Sequence, residues 1–207
     1  TALGTASSRT PVRTSGARVG DHILVTKGIA LEGTAILASD FSDIARKKGL
    51  QEEDIEEAKG LYQEISVIDE ALLLALMGAT AMHDVTRGGI LQTLLGISRL
   101  SGVGIEVHAG RIPLPDPVAK FSEAFQFDPL QMISSGTLVA AVGPENLAKA
   151  RRSLRNKGIP FGDIGEVIEG KGVYIIKEGE KEHYTGIQAE KDDLARMWET
   201  YPRDGTP

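Results

Sequence analysis

From residue 79 to residue 186, short apolar runs alternate with longer segments of helical spacing. That alternation constrains the fold more than any other feature of the sequence. "ATAMHDV" (79–85), "GVGIEVHAG" (102–110), "GTLVAAVG" (136–143) and "PFGDIGEVIEG" (160–170) have the length and composition of strands. Between them, "GGILQTLLGISRLSG" (88–102), "DPVAKFSEAFQF" (116–127) and "PENLAKARRSLRNKG" (144–158) repeat apolar residues at helical spacing. Pro144 suits a first helical position, and Leu147, Ala150 and Leu154 form one stripe. "KGVYIIKEGEKEHYTG" (171–186) reads as further strand with a turn near "EGEK". "EKDDLARMWETY" (190–201) reads as a closing helix that buries Leu194, Met197 and Trp198.

The earlier half is richer in helix. "DHILVTK" (21–27) is a buried strand, followed by helical spacing over 28–49, where Leu31, Thr34, Ala35 and Ala38 share a face and Gly49 is the stop. Residues 50–65 form an acidic amphipathic segment with Leu50, Ile55, Ala58 and Tyr62 on its apolar side. "IDEALLLALMGAT" (68–80) is nearly all apolar and predicts a buried helix. A mixed sheet of about six strands with helices on both faces, an α+β three-layer α/β/α sandwich, accommodates these elements. Residues 1–20 are small, polar and without helical period, which predicts a flexible linker ahead of a domain spanning 21–207.

Charge and cysteine count narrow the function. A net charge of -6 argues against a nucleic-acid backbone as partner, since such binding needs clustered Lys and Arg. With no cysteine, these residues supply no disulfide, zinc–thiolate site or cysteine nucleophile. No apolar run has the length of a membrane span and no signal sequence is evident, so the expectation is a soluble, cytoplasmic protein.

The stretch with most chemistry is "AMHDVTRGGI" (81–90), where a strand hands over to a helix. One reading is a turn that only changes direction, with Asp84 or Thr86 as N-cap. The other is an anion site. A helix N-terminus presents free N–H groups and a positive dipole end, Gly88 and Gly89 allow close approach, and Thr86 and Arg87 add a hydroxyl and a charge. Asp84 repels phosphate unless a magnesium ion lies between them. No GxxxxGK[ST] loop occurs in this setting.

"MHDVTRGGI" resembles the motif of the AIR synthase-related superfamily, which includes aminoimidazole ribonucleotide synthetase, selenophosphate synthetase and thiamine-monophosphate kinase. "TSGARVGDHILVTKGIALEGTAILA", "SSGTLVAAVGPENLAKA" and "GIPFGDIGEVIEG" resemble other stretches of its C-terminal domain. The branch it resembles most is the hydrogenase expression/formation protein, a carbamoyl dehydratase. The resemblance implies an ATP- and Mg2+-dependent parent enzyme that phosphorylates an amide or carbamoyl oxygen. It also implies a preceding N-terminal domain that carries most metal ligands and forms a homodimer, with "TALGTA" as its last strand and this portion inactive by itself. Asp84 would help hold magnesium, and Thr86, Arg87, Gly88 and Gly89 would face the phosphates. Glu32, Gly33, Ser135 and Gly136 would border the substrate cleft, or else serve as packing glycines and a strand start. The hydrogenase branch ends in a cysteine that carries a thiocarbamoyl group, whereas this sequence has none, so either that end has been removed or this is a relative with another substrate, the reading favoured here. A nucleotide-binding scaffold on the same fold is the alternative.

Overall fold

A computed structural model of the chain describes residues 11–186 and 193–201. The strands are β1 (His22–Thr26), β2 (Ala79–Asp84), β3 (Gly104–His108), β4 (Leu138–Val142), β5 (Phe161–Ile168), β6 (Gly172–Lys177) and β7 (Glu180–Tyr184). They form one sheet in the order β2-β4-β1-β5-β3-β6-β7. Every neighbouring pair is antiparallel except β3 and β6. The helices are α1 (Leu31–Asp40), α2 (Ser42–Lys47), α3 (Glu52–Gly60), α4 (Ile68–Leu76), α5 (Gly89–Ser101), α6 (Asp116–Phe125), α7 (Pro144–Asn156) and α8 (Asp193–Thr200).

The layers follow from the strand period of two. In β4 all five residues are buried, because both faces of the sheet are covered there. Val139 and Ala141 join Ile23, Val25 and the Ile90, Leu91 and Leu94 stripe of α5. Leu138, Ala140 and Val142 point the other way, onto Leu74 of α4 and Leu147, Ala150 and Leu154 of α7. This is the expected α/β/α arrangement, with seven strands because 171–186 folds into two. A third apolar cluster unites α1, α2, α3, α6 and α8 around Phe41, Ile55, Phe121, Phe125 and Met197. The Phe121 and Phe125 rings, one helical turn apart, stack at 5.7 Å.

The structure corrects four expectations about the helices. Helical spacing over 28–49 is interrupted at Phe41 (φ -133°, ψ 34°), whose fully buried ring belongs to the helical core. The apolar segment 68–80 is not buried all round. Glu70 and Leu74 of α4 face inward, while Ile68, Leu72 and Leu76 are 65%, 63% and 62% exposed. An outer-layer helix has only one sheet face beneath it, so its composition exceeds what its position can bury. Tyr62 is exposed, because α3 ends at Gly60 and a tighter 3-10 turn over Leu61–Glu64 rotates it off the stripe. Trp198 is also exposed, with its indole N–H on Asp40 (3.2 Å).

Residues 11–20 are packed rather than a loose tail. Arg13 bridges to Ala81, Ala17 is buried, and the Ala17 N–H reaches Ser101 Oγ (3.2 Å). Asp21 accepts from the Arg18 N–H (2.8 Å) and the Thr80 hydroxyl (2.5 Å). The expected linker at 1–10 and the start of the closing helix at 190–192 lie outside the described residues.

Candidate functional site

Three loops meet at one end of the sheet: the β1–α1 turn (27–30), the β2–α5 turn (85–88) and the long loop 126–137 ahead of β4. The long loop is the hub. Ser134 Oγ and Thr137 Oγ1, both buried, lie 2.6 Å apart. Ser134 Oγ accepts from the Leu31 N–H at the start of α1 (3.1 Å), and Thr137 Oγ1 donates to the Gly28 carbonyl. The Val85 N–H donates to the Thr137 carbonyl (2.8 Å), which ties in the β2–α5 turn. The sequence reading singled out the "SSG" at 134–136, with Ser135 and Gly136 as site candidates, but not the pairing of Ser134 with Thr137. Their spacing of three around a glycine, ahead of an apolar strand, is the signal that such a polar pair leaves in a sequence.

The β2–α5 turn departs from the capping reading. Neither Asp84 nor Thr86 caps α5. The N-cap is Gly88 in a left-handed conformation (φ 84°), and its cap has no side-chain hydrogen bond. Gly89 (φ 65°) is buried, and a Cβ there would lie 2.4 Å from the Leu130 carbonyl oxygen and 2.8 Å from that of Met132. The Leu91 N–H donates to that same Leu130 carbonyl (3.0 Å). The chain's own backbone therefore fills the space beside Gly89, and the Gln92 side chain fills that beside Gly88. Outside this packed turn, Asp84, Thr86 and Arg87 are exposed. Asp84 is 55% exposed and pairs with His83 Nδ1 at 3.2 Å. A shallow groove joins Asp84 to His83, Met82, Arg13, Val67 and Leu138.

The second set of candidates meets the same hub. The Glu32 carboxylate accepts from the Ser135 N–H (3.2 Å), and the Gly33 N–H donates to the Ile133 carbonyl (3.0 Å). Gly33 lies against the Met132 side chain, while Gly136 (φ 103°) lies against the Glu64–Ile65 backbone. Both glycines permit close packing of chain on chain.

Among the described residues, no group of three or more His, Cys, Asp or Glu is placed to hold a metal ion. One exposed carboxylate suits magnesium only as a partial donor set, completed by phosphate oxygens and ligands from elsewhere. Asp84 fits that limited role.

Residues 18–178 match the family described as AIR synthase related protein, C-terminal domain. A carbamoyl dehydratase HypE of Cupriavidus necator is 32% identical over 162 residues, which is 75% of this chain and 42% of the relative. A thiamine-monophosphate kinase of Halobacterium salinarum is 31% identical over 173 residues, 82% of this chain and 54% of the relative. The chain thus spans about half the length of these relatives. A hydrogenase maturation protein HypE solved in complex with ATP superposes with a TM-score of 0.65 at 20% identity, covering 88% of this chain and 55% of that one.

Proposed function

Since the chain belongs to the AIR synthase-related family through its C-terminal domain, we propose that it forms the C-terminal part of an ATP- and magnesium-dependent enzyme. The reaction class is phosphorylation of an amide or carbamoyl oxygen. The acceptor oxygen attacks the γ-phosphorus of ATP, an O–P bond forms, the bond to the β-phosphate oxygen breaks, and ADP leaves. The new phosphate ester makes that oxygen a leaving group for the following step. The observation that carries this reading is the exposed Asp84–Thr86–Arg87 set on a turn whose Gly89 packs against the backbone of the 126–137 loop. ATP binding by a fold relative and the names of the two sequence relatives support it.

In this reading Asp84 supplies one carboxylate to magnesium, which when bound offsets charge on the phosphates. Thr86 and Arg87 bind and orient phosphate oxygens from the exposed side of the turn. A preceding domain contributes further ligands and the homodimer contact. The hydrogenase-type thiol carrier is not supplied by these 207 residues, which contain no cysteine.

Asp84→Asn in the intact protein tests the assignment. Asp84 caps no helix and is half exposed, so Asn or Ala there should change stability by less than about 0.5 kcal/mol. Magnesium-dependent ADP formation should fall by at least roughly tenfold in Asp84→Asn. Full activity with an unchanged magnesium dependence would remove Asp84 from the site. Tight Mg-ATP binding with no turnover in the wild-type protein would favour a nucleotide-binding scaffold instead.

A further inference from the structure

Ile68, Leu72 and Leu76 recur every four residues along α4, so their exposed side chains stand one above another as a stripe. Ile65, also exposed, lies three residues ahead of Ile68. From Ile65 to Leu76 the only charged residues are Asp69 and Glu70, and Glu70 is buried against Lys27. A helix face bound for water carries mostly polar and charged side chains. A row of large apolar ones beside a single acid marks a surface that another surface covers.

The surroundings of α4 narrow what that cover is. Val67 and Ala71 line the Asp84 groove, and Ile68 and Leu72 follow each of them by one residue, about 100° further around the helix. Val12, Arg13 and Thr14 line the same groove, and Val12 packs against the cluster that holds Leu74 of α4. Arg13 bridges to Ala81 of the edge strand β2. The described chain therefore begins beside both α4 and Asp84, and polypeptide ahead of it is tethered next to the stripe.

Area and tether favour one occupant over a second copy of this chain. With nine residues α4 is about 14 Å long. Two such helices packed together bury on the order of a few hundred Å2 per copy, short of the roughly 800 Å2 per partner of a stable interface. A domain joined through the backbone needs less area, because a short link holds it at an effective concentration in about the millimolar range. These residues match a C-terminal domain and span about half the length of the relatives, so a domain ahead of them is that occupant.

We propose that the Ile68–Leu72–Leu76 stripe is the seat of the preceding domain of the same polypeptide, which covers it with an apolar surface and so lies alongside the Asp84 groove. This rests on the reading that such a domain supplies further magnesium ligands, and it is tested without ATP. Ile68→Cys, Leu72→Cys and Leu100→Cys in the intact protein are alkylated with iodoacetamide, native and in urea, and each peptide is quantified by mass spectrometry. Leu100 is the control: it is exposed to a similar degree but belongs to α5, on the other face of the sheet. Within these 207 residues all three positions are open, so the contact exists only in the intact protein.

Ile68→Cys and Leu72→Cys should label at least about tenfold more slowly in the native protein than in urea, as for a seat occupied about nine-tenths of the time. Leu100→Cys should stay within about threefold of its rate in urea. Protection should hold over a roughly hundredfold range of protein concentration, since the contact is intramolecular. The proposal is overturned if Leu72→Cys labels within about threefold of its rate in urea, or if all three positions are equally protected. Protection that fades on dilution would also overturn it, by making a second copy the occupant, as would an intact mass equal to that of these 207 residues. Protection without magnesium-dependent ADP formation would keep the seat and remove the catalytic reading. ADP formation without protection would do the reverse.

Discussion

Replacing Gly89 with Ala asks whether the turn beside Asp84 is held by backbone packing. Two costs arise at this position. The left-handed φ of 65° disfavours any L side chain, by about 1–2 kcal/mol. The added Cβ would also lie 2.4 Å from Leu130 O, 2.7 Å from Gln131 C and 2.8 Å from Met132 O, and all three are backbone atoms that cannot swing aside as a side chain would. Relief requires the 130–132 segment to retreat, which costs about 1–3 kcal/mol of strain and repacking. It also loosens the Leu91–Leu130 hydrogen bond, for about 1 kcal/mol more. Gly49 is the internal control: its φ is 94°, and a methyl group there would meet nothing within 4 Å. Urea denaturation of both variants, at equal slope, then isolates the overlap: Gly89→Ala should be less stable than Gly49→Ala by about 2–4 kcal/mol. A difference below about 0.5 kcal/mol would mean that the turn yields freely and that its rigidity was misjudged.

The two faces of α4 should respond differently: Leu74→Ala, at a fully buried site, should cost about 2–5 kcal/mol, and Leu72→Ser, on the exposed face, less than about 0.5 kcal/mol by the same denaturation assay. A large cost for Leu72→Ser in a monomer would contradict the placement of the helix. The Tyr184 phenol, hydrogen-bonded to the Glu182 carboxylate, is pushed up to about 12, chiefly by that bond and then by burial. Because the folded value is raised, the stabilisation is fully present below the ordinary tyrosine value of about 10 and is lost as pH rises from there towards 12. Ultraviolet titration should show one late phenol, and Glu182→Gln should return it towards 10; a late phenol that persists in that variant would assign it elsewhere.

The order of strands and helices is written in the chain itself, because periods of two and 3.6 are local properties. The antiparallel hairpin at 171–186, the stripe of α7 and the proline starts of α6 and α7 are all legible this way. Family membership was legible too, since "MHDVTRGGI" and "SSGT" are contiguous motifs. What a residue faces is a different kind of fact. Whether Leu72 or Leu74 is buried depends on how much sheet lies beneath α4, and nothing within that helix specifies it. The glycines at 88 and 89 looked available to a ligand until a loop some forty residues later in the chain supplied the carbonyls that pack against Gly89. Likewise Lys27 and Glu70 are ordinary charges in sequence, separated by three helices and a 3-10 turn. Folding alone closes them into a buried pair at 2.9 Å, because the low dielectric that strengthens their attraction exists only once the chain has packed around them.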